Sequence, residues 1–212
     1  MPSLAVARQS NAKLSPPTTP VAIFIGGTSG IGHATAQALA RHLKGNVHLV
    51  IVGRNRAAAE ALFATLPRAP TSQYEFAPCD AGLLRNIPAA TAALVARLPK
   101  ANYVVLTCGT LLPFWDMLRG AQRMTEEGVG AHLELVYYAR VKFMLDLLPL
   151  LQRAREMGED ARVLNVAVAG FGGPINFDDM GLRKTYGLRT VGATWATYTD
   201  AAMEVSARSS CQ

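Results

Sequence analysis

Charge is scarce in this chain. Only 17% of its 212 residues are Asp, Glu, Lys or Arg, and aromatic residues make up 7%. Low charge and few aromatics would suit a disordered chain only if apolar residues were also rare, yet half of the sequence is hydrophobic. That balance excludes a disordered or fibrous polymer and fits one compact, well-buried domain. Cysteine is limited to Cys79, Cys108 and Cys211. An odd, widely spaced set gives neither a disulfide framework nor metal-ligand spacing, so no metal site is expected. Cys79 and Cys108 each close an apolar run and read as small buried hydrophobes. No apolar run reaches the ~20 residues that span a bilayer, and the first twenty residues lack the hydrophobic core of a signal peptide. A cytoplasmic protein with no membrane partner is the expectation. Net charge is +6, but the basic residues are scattered and not interleaved with aromatics, so no nucleic-acid partner is expected.

What is present is an alternation. Short β-branched runs at 21–25, 47–52, 74–77, 103–107 and 162–168 are nearly continuously apolar, as parallel strands covered on both faces must be. Helical patterns at 31–44, 56–66, 84–98, 126–157 and 190–207 lie between and after them. Gly45-Asn46 and Pro67 supply stops for the first two, and Pro149 should kink the fourth. The order implies an α/β fold, a doubly wound parallel sheet with right-handed crossovers. Residues 1–20, rich in Ser, Thr, Asn and Pro, read as a flexible arm, 21–207 as a dinucleotide-binding domain, and 208–212 as a tail.

The first strand runs directly into Gly26-Gly27-Thr28-Ser29-Gly30-Ile31-Gly32 and then a helix. A turn of this kind between first strand and first helix suits a pyrophosphate. Gly26 turns the chain out of the strand, Gly30 lets the backbone approach the phosphates, and Gly32 permits close helix–strand packing. Free N–H groups at the helix start, Ile31 among them, face the ligand, and Thr28 and Ser29 can add hydroxyl donors. The tip of the second strand discriminates between the nicotinamide cofactors. Gly53-Arg54-Asn55-Arg56 offers no carboxylate for a ribose 2′-hydroxyl, whereas Arg54, helped by its neighbours, suits a 2′-phosphate. NADP is therefore the expected cofactor.

The string IGGTSGIG, with Ile25 where Thr is usual, resembles the cofactor loop of the short-chain dehydrogenase/reductase family. VGRN at 52–55, Cys79-Asp80 and Thr107-Cys108-Gly109 continue the resemblance, as do the long helical stretch from Thr125 and RVLNVAVAG. HLELVYYAR together with GPINFDDM…KTYGL looks like a divergent fungal branch found in secondary-metabolite pathways. The resemblance implies adenine contact at Asp80 and room for the nicotinamide ribose at Gly109. It also implies carbonyl reduction by a Ser, Tyr, Lys and Asn set. Here the matching positions hold Val168, Gly192, Ala196 and Val136, none of which can donate a proton. No lysine occurs in 187–212. A literal Tyr138-x-x-x-Lys142 lies on the wrong helix and reads as a decoy. Tyr186 and Tyr198 have Thr190 and Ala202, not Lys, four residues on. The catalytic residues stay unassigned.

The family's sheet carries two further strands, which this chain does not supply after the last helical pattern. Strand 162–168 should then be an exposed edge, covered by a partner or belonging to a truncated product. Three functions are compatible with these residues. One is an NADP-dependent oxidoreductase acting on a small apolar carbonyl, enone or imine. Another is a non-redox, cofactor-holding pseudoenzyme or cyclase-like protein. The third is an interaction module that forms a homo- or hetero-oligomer through helix 126–157.

Overall fold

The computed structural model describes residues 3–109, 122–167 and 170–209. Five parallel strands form one sheet, β1 (Val21–Ile25), β2 (His48–Gly53), β3 (Gln73–Pro78), β4 (Tyr103–Leu106) and β5 (Arg162–Asn165), in the spatial order β3-β2-β1-β4-β5. The chain winds outward from β1 to β3, returns to the other side of β1 with β4, and continues to β5. The order therefore reverses between β1 and β4, and the strands' carboxyl ends part there to leave a crevice. The fold is α/β and doubly wound.

Strand alternation explains the two-sided core. Ile23 and Ile25 of β1, Val50 and Val52 of β2, and Val104 and Leu106 of β4 face one layer, packed by Ile87, Leu94, Phe143 and Leu147. Ala22, Phe24, Leu49, Ile51 and Val105 face the other, packed by Ala36, Ala40, Leu62 and Phe63. Successive side chains point to opposite faces, so a β-branched run with no polar break is buried on both. The helices are α1 (Leu4–Ala12), α2 (Gly30–His42), α3 (Arg56–Thr65), α4 (Ile87–Arg97), a single turn α5 (Ala131–Leu133), α6 (Ala139–Glu156) and α7 (Leu188–Ser209). A π-helical turn, Glu134–Tyr138, joins α5 to α6.

Three element boundaries differ from the sequence reading. The expected arm contains α1, capped by Ser3 Oγ accepting from Val6 N–H and burying none of its residues. The helix expected from 126 begins at Ala131, because Thr125 and Val129 close a turn with Gly128 at φ +73°, and Met124 bridges Gly130. Pro149 lies inside α6, which runs on to Glu156. The apolar side of α6 (Ala139, Phe143, Leu147, Leu150 and Ala154) is spent on the chain's own core, and Leu145 is its exposed large apolar residue. Finally, β5 ends at Asn165, with Leu164 49% exposed on this edge of the sheet. The expected strand residue Val168 lies outside the described residues.

The amino ends of the strands are tied by a polar cluster. Lys100 pairs with Glu159, whose carboxylate also accepts from Asn102 Nδ2 (2.8 Å) and Thr18 Oγ1 (2.7 Å). Asn102 Oδ1 in turn accepts from Val21 N–H at 2.9 Å. Lys100 and Glu159 expose less than a tenth of their side chains, so this pair is shielded from screening.

Candidate cofactor groove

A groove of about 440 Å³ opens at the switch point, across the carboxyl ends of β1, β2 and β4. Its floor is the glycine turn: Gly26, Thr28, Ser29, Gly30, Ile31 and Gly32 all line it. Local chemistry explains the shape. Gly26 adopts φ +96°, and a Cβ there would lie 2.6 Å from Cys108 N; at Gly32 a Cβ would meet Thr107 Oγ1 at 2.3 Å. These two glycines let β1, β4 and α2 close on one another. Gly30 is different, with φ +56° and nothing within 4 Å of a Cβ, which leaves its backbone open to the groove. Ser29 is the N-cap residue of α2, yet its hydroxyl makes no capping bond. The hydroxyl and the first N–H groups of α2 are thus presented together at the positive end of the helix. This cradle fits a diphosphate.

Arg54 and Asp80 line one end of the groove. Their closest charged atoms are 3.7 Å apart, with 74% of the Arg54 side chain exposed. Asp80 Oδ1 also accepts from Gly82 N–H at 3.0 Å, which holds its loop. Gly53 brings the tip of β2 against the glycine turn, since a Cβ there would sit 3.7 Å from Thr28 Cγ2. No carboxylate stands on the β2 tip, and the guanidinium there suits a ribose 2′-phosphate.

The other end is walled by Thr107, Cys108 and Gly109 after β4, Leu135 on the π-turn, Val166 and Ala167 after β5, and Trp195 on α7. Thr107 Oγ1 lies 3.1 Å from Gly26 O and 3.2 Å from Ile25 O, to which it donates, so β4 and the glycine turn are stitched together. Burial pushes the Cys79 thiol up to about 11 and raises the Cys108 thiol as well. Both cysteines are therefore neutral walls rather than nucleophiles.

Of the residues singled out from sequence, Gly26, Thr28, Ser29, Gly30, Ile31, Gly32, Arg54, Asp80 and Gly109 share this groove. Asn55 does not. Its side chain accepts from Ala58 N–H at 3.0 Å and caps α3, the usual employment of an Asn before an Ala-rich helix. Val136 and Ala196 are 2% and 3% exposed, and Gly192 faces the Phe171 ring. Val168 falls outside the described residues. Lys142 Nζ pairs with Asp146, its i+4 neighbour, and Tyr138 packs edge-on against Tyr137, so that motif serves the helix. Tyr198 Oη donates to Met180 O at 3.2 Å. Trp195, Leu135, Val166 and Ala167 were not anticipated as groove residues. Neither was Arg140, buried behind them.

Among the described residues no helix is long and apolar enough to cross a membrane, and no group of three His, Cys, Asp or Glu is placed to hold a metal ion.

Residues 20–176 match the short chain dehydrogenase family. The chain is 33% identical over 209 residues to an oxidoreductase of Emericella nidulans, which covers 98% of this chain and 60% of that protein. It is 36% identical over 186 residues to the oxidoreductase andH of Emericella variicolor, covering 87% of this chain and 52% of the relative. The chain thus spans between half and three-fifths of the length of these relatives. In fold it is similar to a metagenomic short-chain oxidoreductase in complex with NADP (TM-score 0.64, 18% identity, 91% of this chain and 76% of that one). A short-chain dehydrogenase of Sphingobium yanoikuyae in complex with NADPH is comparably similar (TM-score 0.61, 20% identity, 89% of this chain and 65% of the other).

Proposed function

Because this chain belongs to the short-chain dehydrogenase/reductase family, we propose that it holds NADP(H) in the switch-point groove and acts as an oxidoreductase on a small apolar carbonyl, enone or imine. One observation carries the cofactor choice: a groove built on a glycine turn whose β2 rim offers the Arg54 guanidinium and no carboxylate. The N–H groups of Gly30, Ile31 and Gly32, with the Ser29 hydroxyl, would hold the diphosphate. Arg54 would grip the 2′-phosphate, with Asp80 beside the adenosine and Gly109 beside the nicotinamide ribose. When bound, the reduced cofactor supplies hydride. The chain's own share is to orient and to keep water out, and the apolar wall of Leu135, Val166, Ala167 and Trp195 suits an apolar substrate.

A specific observation favours a second reading. Val136, Gly192 and Ala196 occupy the positions at which the family resemblance implies Asn, Tyr and Lys, and none carries a proton. A substrate that arrives already activated, such as an iminium, needs no protein acid, so reduction is compatible with this wall. A cofactor-holding, non-redox protein that steers a cyclisation is compatible as well. The test is NADPH oxidation by purified protein over a panel of apolar ketones, enones and cyclic iminium ions. Turnover on iminium ions but not on simple ketones is expected. Tight NADPH binding without turnover on any member would select the non-redox reading.

A further inference from the structure

The inner wall of the groove comes from three separate parts of the chain: Cys108 and Gly109 after β4, Val166 and Ala167 after β5, and Trp195 on α7. Arg140, on α6, does not line the groove, yet it touches all three. Its Nε and Nη2 donate to Cys108 O at 2.9 and 2.6 Å. Its Nη1 donates to Asn165 Oδ1 at 2.7 Å and to Val166 O at 2.6 Å. Its guanidinium carbon stands 5.7 Å from the centre of the Trp195 ring. It also backs Gly109, where a Cβ would be 3.4 Å from Nη2.

This placement is costly unless it is used. The side chain is 5% exposed, and the acceptors of these bonds are all neutral. Pairing between β4 and β5 ends at Leu106↔Asn165, with one more bond from Val166 N–H to Leu106 O. Beyond that point no ladder bond joins the two segments among the described residues, and the guanidinium takes over. A planar fork with five donors spans two carbonyls and an amide at once; an ammonium on a flexible stem does not.

We propose that Arg140 is a positioning residue for the nicotinamide half of the cofactor: it clamps the fork between β4 and β5 and so sets the width of the inner groove without touching the ligand. The proposal rests on the cofactor reading above and assigns a separate duty within it. The adenosine end, built by Arg54, Asp80 and the glycine turn, is independent of this clamp. A cofactor fragment that ends at the adenosine side should therefore not sense its loss.

The test compares two ligands by calorimetry, NADPH and 2′,5′-ADP, which carries the adenosine and the 2′-phosphate but no nicotinamide. Arg140→Lys keeps the charge and loses the fork, Arg140→Met loses both, and Asn165→Ala removes one anchor. Arg140→Lys should bind NADPH about tenfold more weakly, with 2′,5′-ADP held within about twofold of wild type. Asn165→Ala should show the same selective loss in smaller measure. Should Arg140→Met fail to fold, these two variants still decide the matter. Equal loss of both ligands, or unchanged NADPH binding in Arg140→Lys and Asn165→Ala, would overturn the proposal. Wild-type protein that takes up neither ligand would overturn the cofactor reading and this clamp with it, whereas wild-type uptake of 2′,5′-ADP confines any failure to the clamp.

Discussion

Arg54→Ala is the perturbation that reads most directly on cofactor choice. A guanidinium–phosphate contact is charge-assisted and bidentate, worth about 1.5–3 kcal/mol when well shielded. Here 74% of the Arg54 side chain is exposed, so solvent screens part of that attraction. A remainder of about 1–2 kcal/mol corresponds to roughly a five- to thirtyfold weaker Kd for NADPH. The neighbouring charge acts in the same direction. With Arg54 gone, the Asp80 carboxylate, 3.7 Å from Nη1 in the intact protein, is left to repel the 2′-phosphate. NADH has a hydroxyl in place of that phosphate and should lose no more than about twofold. Titration calorimetry with both cofactors, at low and at physiological ionic strength, measures the difference. The NADPH penalty should shrink as salt rises while the NADH value barely moves. Equal losses for the two cofactors, or none for NADPH, would refute the placement of the 2′-phosphate on the β2 tip.

The two tight glycines of the groove should respond differently to alanine. Gly32→Ala puts a Cβ 2.3 Å from Thr107 Oγ1 and 2.6 Å from Gly26 O, an overpacking that should cost about 1–3 kcal/mol in denaturant titration. Gly30→Ala meets open space but a positive φ, so about 1–2 kcal/mol of backbone strain and weaker cofactor uptake are expected. A second pair of predictions concerns acid. Burial, helped by the nearby Arg140 charge, brings His132 down to about 4 from 6.5, and among the described residues neither ring nitrogen has a hydrogen-bond partner. The unfolded chain takes up a proton that the folded chain refuses, so stability should fall as pH drops from 6.5 to 4 and be fully present above that window. His132→Phe should flatten this limb in urea unfolding at a series of pH values. Lower down, the Lys100 hydrogen bond, then that of Asn102, holds Glu159 at about 2 from 4.5. Its folded value lies below its unfolded one, so its stabilisation is present above pH 4.5 and lost toward 2. Glu159→Gln should remove that second limb and leave the first. Cys79, raised to about 11 by burial, should resist alkylation at neutral pH until the protein is unfolded. Modification of Cys79 in the folded protein, mapped by mass spectrometry, would contradict its place in the wall.

The amino-acid order by itself determined the strands, the winding of the sheet and the side of the groove built on the glycine turn and the tip of β2. Those features are local. Uninterrupted β-branched runs demand burial on both faces, and Gly26, Gly30 and Gly32 stand next to the strand that they must leave. Arg54, Asp80 and Gly109 each lie one to three residues past a strand end, where a parallel sheet opens. Asn55 beside Arg54 caps α3 because Ala58 N–H lies within its reach, and residues 126–130 turn because Gly128 accepts a positive φ. The inner wall was decided by tertiary structure alone. Trp195 and Val166 face Cys108 across 87 and 58 residues of sequence, and Arg140 reaches Cys108 O over 32. Nothing in an apolar helical stretch marks one arginine for burial. Only the packing of α6 under the parting ends of β4 and β5 turns that arginine inward, where four hydrogen bonds from its guanidinium take over from those that the strands cease to make.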